Sequence, residues 1–157
     1  MKRNNETQKK IIQAALSLFV RNGYHGTSIN AIMRKVGMSK GALYAHFSSK
    51  GDLLLEIIKE FEGLYIGEMI RTVSETPGDA LDKLHRTFSF SSRFVVENQE
   101  LCVFLTFLAT ELKADVDFEP ALTRVYHRYQ KFVSELIKQG ILQGVFKKNL
   151  DPDLAAL

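Results

Sequence analysis

Between Thr27 and Lys50 the sequence gathers side chains suited to holding a polyanion. Lys40 can neutralise a phosphate or reach a guanine edge, and Gly41 beside it lets a backbone approach with no Cβ in the way. Ala42 can offer its methyl to a thymine methyl, while Tyr44 and His46 can donate hydrogen bonds to phosphate oxygens. Thr27 and Ser28 open one helical segment, Ser39 opens the next, and Ser49 with Lys50 opens a third. At each opening, hydroxyls and unpaired N–H groups sit where the helix dipole favours an anion. Plainer roles exist for the same groups: Thr27 and Ser49 as N-caps, Tyr44 as a core aromatic.

Other chemistry is poorly signalled. His25, His46, His85 and His127 stand far apart with no i,i+4 pair, and Cys102 has no CxxC partner, so no metal site is expected. The glycines form no phosphate loop, and Cys102 with a histidine lacks any nucleophile signature, so neither a cofactor nor catalysis is expected. Cys102 reads as a small buried apolar residue, and a lone cysteine excludes an intrachain disulfide and suits a reducing cytoplasm.

The elements that must position Lys40 to His46 are short helices. Ile11, Ile12, Ala15, Leu18 and Phe19 recur at helical spacing from Asn5 to Asn22, and Gly23 supplies the stop. Ile29, Ile32 and Val36 stripe a second helix that Thr27 or Ser28 can cap and Gly37 can end. The third, from Lys40 to His46 or Phe47, turns Leu43 and Phe47 inward and leaves Lys40, Gly41, Ala42, Tyr44 and His46 outside. A helix this short is marginal alone, so its value lies in what it presents; the order helix, Gly turn, short helix is the helix-turn-helix pattern. Charge agrees: of the net +3 over 157 residues, residues 1–50 carry nine Lys/Arg against Glu6 alone, while residues 51–157 carry twelve against seventeen acids.

Gly23-Tyr24, Gly26-Thr27-Ser28, Ile29 to Ile32 and the run Gly37-Met38-Ser39-Lys40-Gly41-Ala42-Leu43-Tyr44-Ala45-His46-Phe47-Ser48-Ser49-Lys50 resemble the N-terminal domain of the TetR family of bacterial transcriptional regulators. Met33 and Ala45 depart from the usual pattern, where a small alanine and a bulkier residue are common. The resemblance covers about a third of the chain and implies that Lys40 and Gly41 lie at the DNA.

The rest reads as helices as well, giving an all-α chain: a helix-turn-helix domain over residues 1–49, then a helical ligand-binding and dimerisation bundle over 50–157. Leu53, Leu54, Ile57, Ile58, Phe61, Leu64, Tyr65 and Ile70 mark a long helix to about Thr72. Thr76-Pro77 is expected to open the next, with Leu81, Leu84, His85, Phe88, Ser92 and Val95 on one face. Leu101 to Lys113 and a helix capped by Asp117 follow, and Asp151-Pro152 starts a last one. Gly140 and Gly144 suggest close helix packing rather than a membrane motif, and no apolar run is long enough to span a bilayer.

Nine of the eleven Phe lie beyond residue 50, mostly as core expected at helical spacing. TetR-like proteins hold a small-molecule cavity among these helices, so the resemblance makes Phe61, Tyr65, Phe88, Phe104, Phe107, Tyr126 and Tyr129 candidate pocket residues, with His85, Arg86 or Arg93 as polar anchors. It also implies two further helices for dimerisation, the first of which stops at Leu157, so the C-terminus is expected to be incomplete. The function expected is a cytoplasmic, nucleoid-associated homodimer that represses from a near-palindromic double-stranded DNA operator until a small apolar effector releases it. The alternative is an architectural or partner-regulated DNA-binding protein whose body has no effector.

Overall fold

The structure is a computed structural model that describes residues 2–111 and 118–157, with side chains described from Glu6 onward except at 107 and 109–117. Its described residues are helical, with no strand. Two compact units form, one from residues 1–60 with 98–118 and the other from 61–97 with 119–157.

The first unit contains α1 (Lys2–Asn22), α2 (Ile29–Val36), α3 (Lys40–Tyr44), α4 (Lys50–Phe61, of which all but Phe61 belongs here) and α7 (Gln99–Glu111). Gly23 takes φ 73° after α1 and Gly37 takes φ 71° after α2, the left-handed conformation that ends a helix and that a Cβ disfavours. Ser28 caps α2, its Oγ accepting from the Ala31 N–H at 3.1 Å, and Ser39 caps α3 through the Ala42 N–H at 3.3 Å. Ser49 and Asp52 form a reciprocal cap on α4: Ser49 Oγ accepts from the Asp52 N–H, and Asp52 Oδ2 from the Ser48 N–H, both at 3.0 Å. Ile11, Ala15, Phe19, Ile32, Leu43, Leu53, Leu54 and Ile58 fill the core. Residue α7 Phe104 stacks on Phe19 with ring centroids 5.6 Å apart.

The second unit contains a π-helical segment (Glu62–Gly67), α5 (Glu68–Ser74), α6 (Ala80–Glu97), α8 (Glu119–Leu142) and α9 (Pro152–Ala155). The expected helix from residue 50 to about 72 is therefore helical backbone to Ser74, but with a π turn inserted after Phe61. Met69, Val73 and Leu136 are buried at the centre, packed by Ile70, Leu84, Phe90, Tyr129 and Phe132. The cap of α6 differs from the expected Thr76. Gly78 sits at φ 120°, outside any helix, so the first turn forms beyond it, where Asp79 Oδ1 accepts from the N–H groups of Leu81 (2.8 Å) and Asp82 (3.0 Å). Thr76 instead donates its hydroxyl to the Thr72 carbonyl at 2.8 Å. Asp151 caps α9 as expected, and the Phe146 ring covers Gly140 so closely that a Cβ there would collide with it. The expected Asp117 cap lies outside the described residues.

Candidate nucleic-acid interface and effector site

α3 is five residues long and is held from both ends. Leu43 is fully buried and Phe47 nearly so, which fixes the roll of the helix against the first unit. Lys40, Gly41 and Tyr44 are thereby exposed, Ala42 and His46 half-exposed. The Lys40 ammonium lies 5.8 Å from the Tyr44 ring centroid, one helical turn on, so a cation and a phenol share one outer face. Gly41 has an ordinary helical setting, and a Cβ added there would meet nothing within 4 Å. The fold therefore does not require glycine at this position; a closely approaching ligand would.

The hydroxyl side chains divide. Ser28 and Ser39 are exposed and cap their helices, leaving N–H groups at two helix mouths beside the exposed face. Thr27 is buried, and its hydroxyl faces the carbonyls of Leu18 (3.1 Å) and Gly23 (2.9 Å), stitching the end of α1 to the entry of α2. Lys50 also turns inward: its ammonium donates to the carbonyls of Tyr24 (2.8 Å) and Thr27 (3.0 Å) and lies 4.3 Å from the Tyr24 ring centroid. Burial lowers its pKa from the usual lysine value. Both residues thus hold the α1–α2 connection that carries the exposed helix.

The second unit gathers five aromatic rings. Phe61 and Tyr65 stack at 5.3 Å, Tyr65 lies 4.9 Å from Phe94 and 6.2 Å from Tyr129, and Phe90 stands 6.4 Å from both Tyr65 and Phe94. The Tyr65 hydroxyl donates to Ser91 Oγ at 2.9 Å, and Ser91 donates onward to the Thr87 carbonyl. Burial, and then the neighbouring Tyr65, push the Tyr129 phenol above its usual pKa.

Of the candidate pocket residues, Phe61, Tyr65 and Tyr129 come together here. Phe88 and Tyr126 are exposed at 61% and 48%, and His85 is exposed with them. Phe104 belongs to the first unit's core against Phe19, and the Phe107 side chain lies outside those described. The face of α6 turned to the aromatic cluster is Ala80, Leu84, Thr87, Phe90 and Phe94. Sequence reading missed Phe90 and Phe94; their i,i+4 spacing, matching that of Phe61 and Tyr65, was the available signal. Burial pushes the Cys102 thiol above its usual pKa, away from reactive thiolate. Among the described residues no group of three or more His, Cys, Asp and Glu is placed to hold a metal ion.

Comparison with known proteins covers both units. Residues 11–57 match the model described as bacterial regulatory proteins, tetR family. The fatty acid metabolism regulator protein of Bacillus subtilis is 26% identical over 158 aligned residues, covering 99% of this chain and 78% of that protein. The transcriptional repressor KstR2 of Mycolicibacterium smegmatis is 26% identical, covering 92% of this chain and 70% of that one. Among solved structures, a gamma-butyrolactone receptor (ArpA-like protein) superposes with a TM-score of 0.80 at 28% identity, covering 99% of this chain and 79% of that one. FadR from Bacillus subtilis, in complex with stearoyl-CoA, does so at 0.79 and 25% identity, covering 94% and 78%. The domain at the head of the chain is thus that of the TetR family of bacterial transcriptional regulators, and regulators of the same build match along nearly the whole length of the chain.

Proposed function

We propose that the protein is a sequence-specific repressor that binds a near-palindromic DNA operator as a two-fold homodimer and leaves it when an apolar small molecule enters the second unit. The observation that carries the DNA reading is α3: a helix pinned by Leu43 and Phe47 whose outward side is Lys40, Gly41 and Tyr44. In this reading Lys40 and Tyr44 meet phosphates or base edges, Gly41 and Ala42 permit close approach, and the mouths at Ser28 and Ser39 hold phosphates. Thr27 and Lys50 act through the α1–α2 connection. His46, half-exposed just after α3, completes the set. One short helix reads only a few base pairs, so useful specificity needs two heads about one DNA turn, roughly 34–36 Å, apart.

Functionally, residues 1–49 are the DNA-binding domain and residues 50–157 the effector and dimerisation domain in this proposal. The cluster of Phe61, Tyr65, Phe90, Phe94 and Tyr129 supports an apolar or aromatic effector, as do relatives that were solved with stearoyl-CoA or described as a gamma-butyrolactone receptor. The protein acts in the cytoplasm in this reading, without catalysis of its own. Among the described residues no helix is long and apolar enough to cross a membrane.

The test is selection of bound sites from randomised duplex DNA, followed by footprinting. A two-fold symmetric site with half-sites one turn apart, bound by a dimer, is expected; tight protection of a lone half-site by a monomer would overturn the reading.

A further inference from the structure

One face of α8 runs against the charge of its surroundings. Residues 51–157 carry an excess of acids, yet Arg124, His127, Arg128, Lys131 and Lys138 recur at helical spacing on one side of this helix, interrupted only by Glu135. All but Lys138 are exposed, and Lys138 is partly so. At its first end, Arg128 Nη1 meets Glu62 Oε1 at 2.6 Å and Arg124 Nε meets Glu62 Oε2 at 3.5 Å. One carboxylate, itself only 13% exposed, therefore faces two guanidinium groups. At the other end Lys138 is met by Glu135 and Asp153. Lys131, between them, has no ion pair among the described residues, and it lines an open depression of about 390 Å³ whose other walls are His127, Gln130, Ser134 and the Lys138 ammonium with its two acids, Glu135 and Asp153.

This basic edge meets the aromatic cluster at one junction. Glu62 follows Phe61 directly and precedes Tyr65 by three residues, while Arg128 precedes Tyr129 directly. Phe61, Tyr65 and Tyr129 are the rings that stack inside. A ligand with its apolar part among those rings would bring its other end out beside Arg124 and Arg128.

We propose that the face of α8 from Arg124 to Lys131 is the subsite for the phosphate-bearing head of an apolar effector, with Glu62 standing in for that anion when the ligand is absent. The inference rests on the effector reading above and names the ligand's chemical class. A single carboxylate such as that of Glu62 meets only Arg124 and Arg128, whereas cations spread over the eight residues from Arg124 to Lys131, roughly 10 Å, match a head carrying several phosphates. Displacing Glu62 frees the first residue of the π-helical segment, which links the head subsite to the helix running back to Lys50.

The test uses the whole chain and three probes, dodecanoyl-coenzyme A, dodecanoate and coenzyme A, with affinity measured by calorimetry at two salt concentrations. Lys131→Ala is the first variant because it breaks no ion pair among the described residues; Arg124→Gln combined with Lys131→Ala is the second, with thermal melting as the check on folding. The expected result is that the thioester binds at least tenfold tighter than dodecanoate, that each variant narrows this gap, and that affinity for dodecanoate stays within about twofold. Equal binding of thioester and fatty acid, with both releasing operator, overturns the head subsite and leaves the effector reading intact. Failure of all three probes to bind a protein that still holds its operator overturns the subsite, and release by a purely apolar compound then separately tests the effector reading. Loss of operator affinity in the variants without ligand would make the face a nucleic-acid contact and overturn the inference.

Discussion

Gly41 and Lys50 show how single residues divide between folding and binding. A Cβ at Gly41 would meet nothing, so Gly41→Ala should stabilise the protein by up to about 1 kcal/mol through helix propensity and lost unfolded-state freedom. In the same variant, operator affinity should fall, because the methyl group stands between α3 and the duplex. Melting and binding measured on one preparation check both signs, and an unchanged affinity removes Gly41 from the interface. For Lys40→Ala, which is exposed, binding should weaken across sequences, and the slope of log affinity against log salt should drop by about one unit in a salt titration. Lys50→Met keeps the apolar stem against Tyr24 but strips donors from the Tyr24 and Thr27 carbonyls. A loss of about 1–3 kcal/mol is expected in denaturant melts, with DNA affinity per folded molecule little changed. A variant of normal stability with weakened, less salt-dependent DNA binding would instead put the Lys50 ammonium on a phosphate.

The helices were legible where local chemistry decides them. Ser28, Gly37, Ser39 and Asp151 each act on the next few backbone groups, so their caps follow from sequence alone. Where a helix has two apolar stripes, sequence cannot choose. α6 carries Ala80, Leu84, Thr87, Phe90, Ser91 and Phe94 on one face and Leu81, His85, Phe88, Ser92 and Val95 beside it, one residue out of phase. Only packing of the first stripe against the second unit's aromatic cluster separates them, so sequence alone points to Phe88 as readily as to Phe90 and Phe94. The π turn left a trace: Leu54 and Ile58 are buried before it, Ile66, Met69 and Val73 after it, and the second set lags the first by about one residue, roughly 100° of rotation. At the far end, α9 is tied by Asp153, which accepts from the Ser134 hydroxyl at 2.5 Å and faces Lys138 at 3.7 Å. These partners, Ser134 first, hold its carboxyl below the usual aspartate range. A depressed folded pKa contributes stability above the unfolded value that is lost as pH falls through the folded one, so α9 should loosen as pH drops below about 4. Amide exchange of residues 153–155 should show that loss in the wild type and a flat, already faster exchange in Asp153→Asn.

At the scale of the whole molecule, regulation is a free-energy difference, not a contact. An apolar effector gains about 25 cal/mol per Å² of surface it buries, but this affects DNA only if the DNA-competent and DNA-incompetent states bind it unequally. A preference of roughly 1–3 kcal/mol for the second state loosens DNA about 5- to 150-fold, and linkage requires DNA to weaken the effector by the same factor. The backbone that can transmit the preference is helical from Lys50, which is bonded to the connection carrying α3, to Ser74, with Phe61, Glu62 and Tyr65 along it. Tyr65 is the residue to change, because its ring meets those of Phe61, Phe94 and Tyr129 while its hydroxyl donates to Ser91. Tyr65→Ala should therefore leave operator affinity in the absence of effector within about threefold of wild type while reducing the effector's release of DNA at least tenfold. Measuring operator affinity with and without dodecanoyl-coenzyme A in both proteins, and effector affinity with and without operator, closes the thermodynamic cycle. Identical responses in the two proteins would mean that the aromatic cluster is core alone, and that the helix through it does not set the affinity of the DNA-binding head.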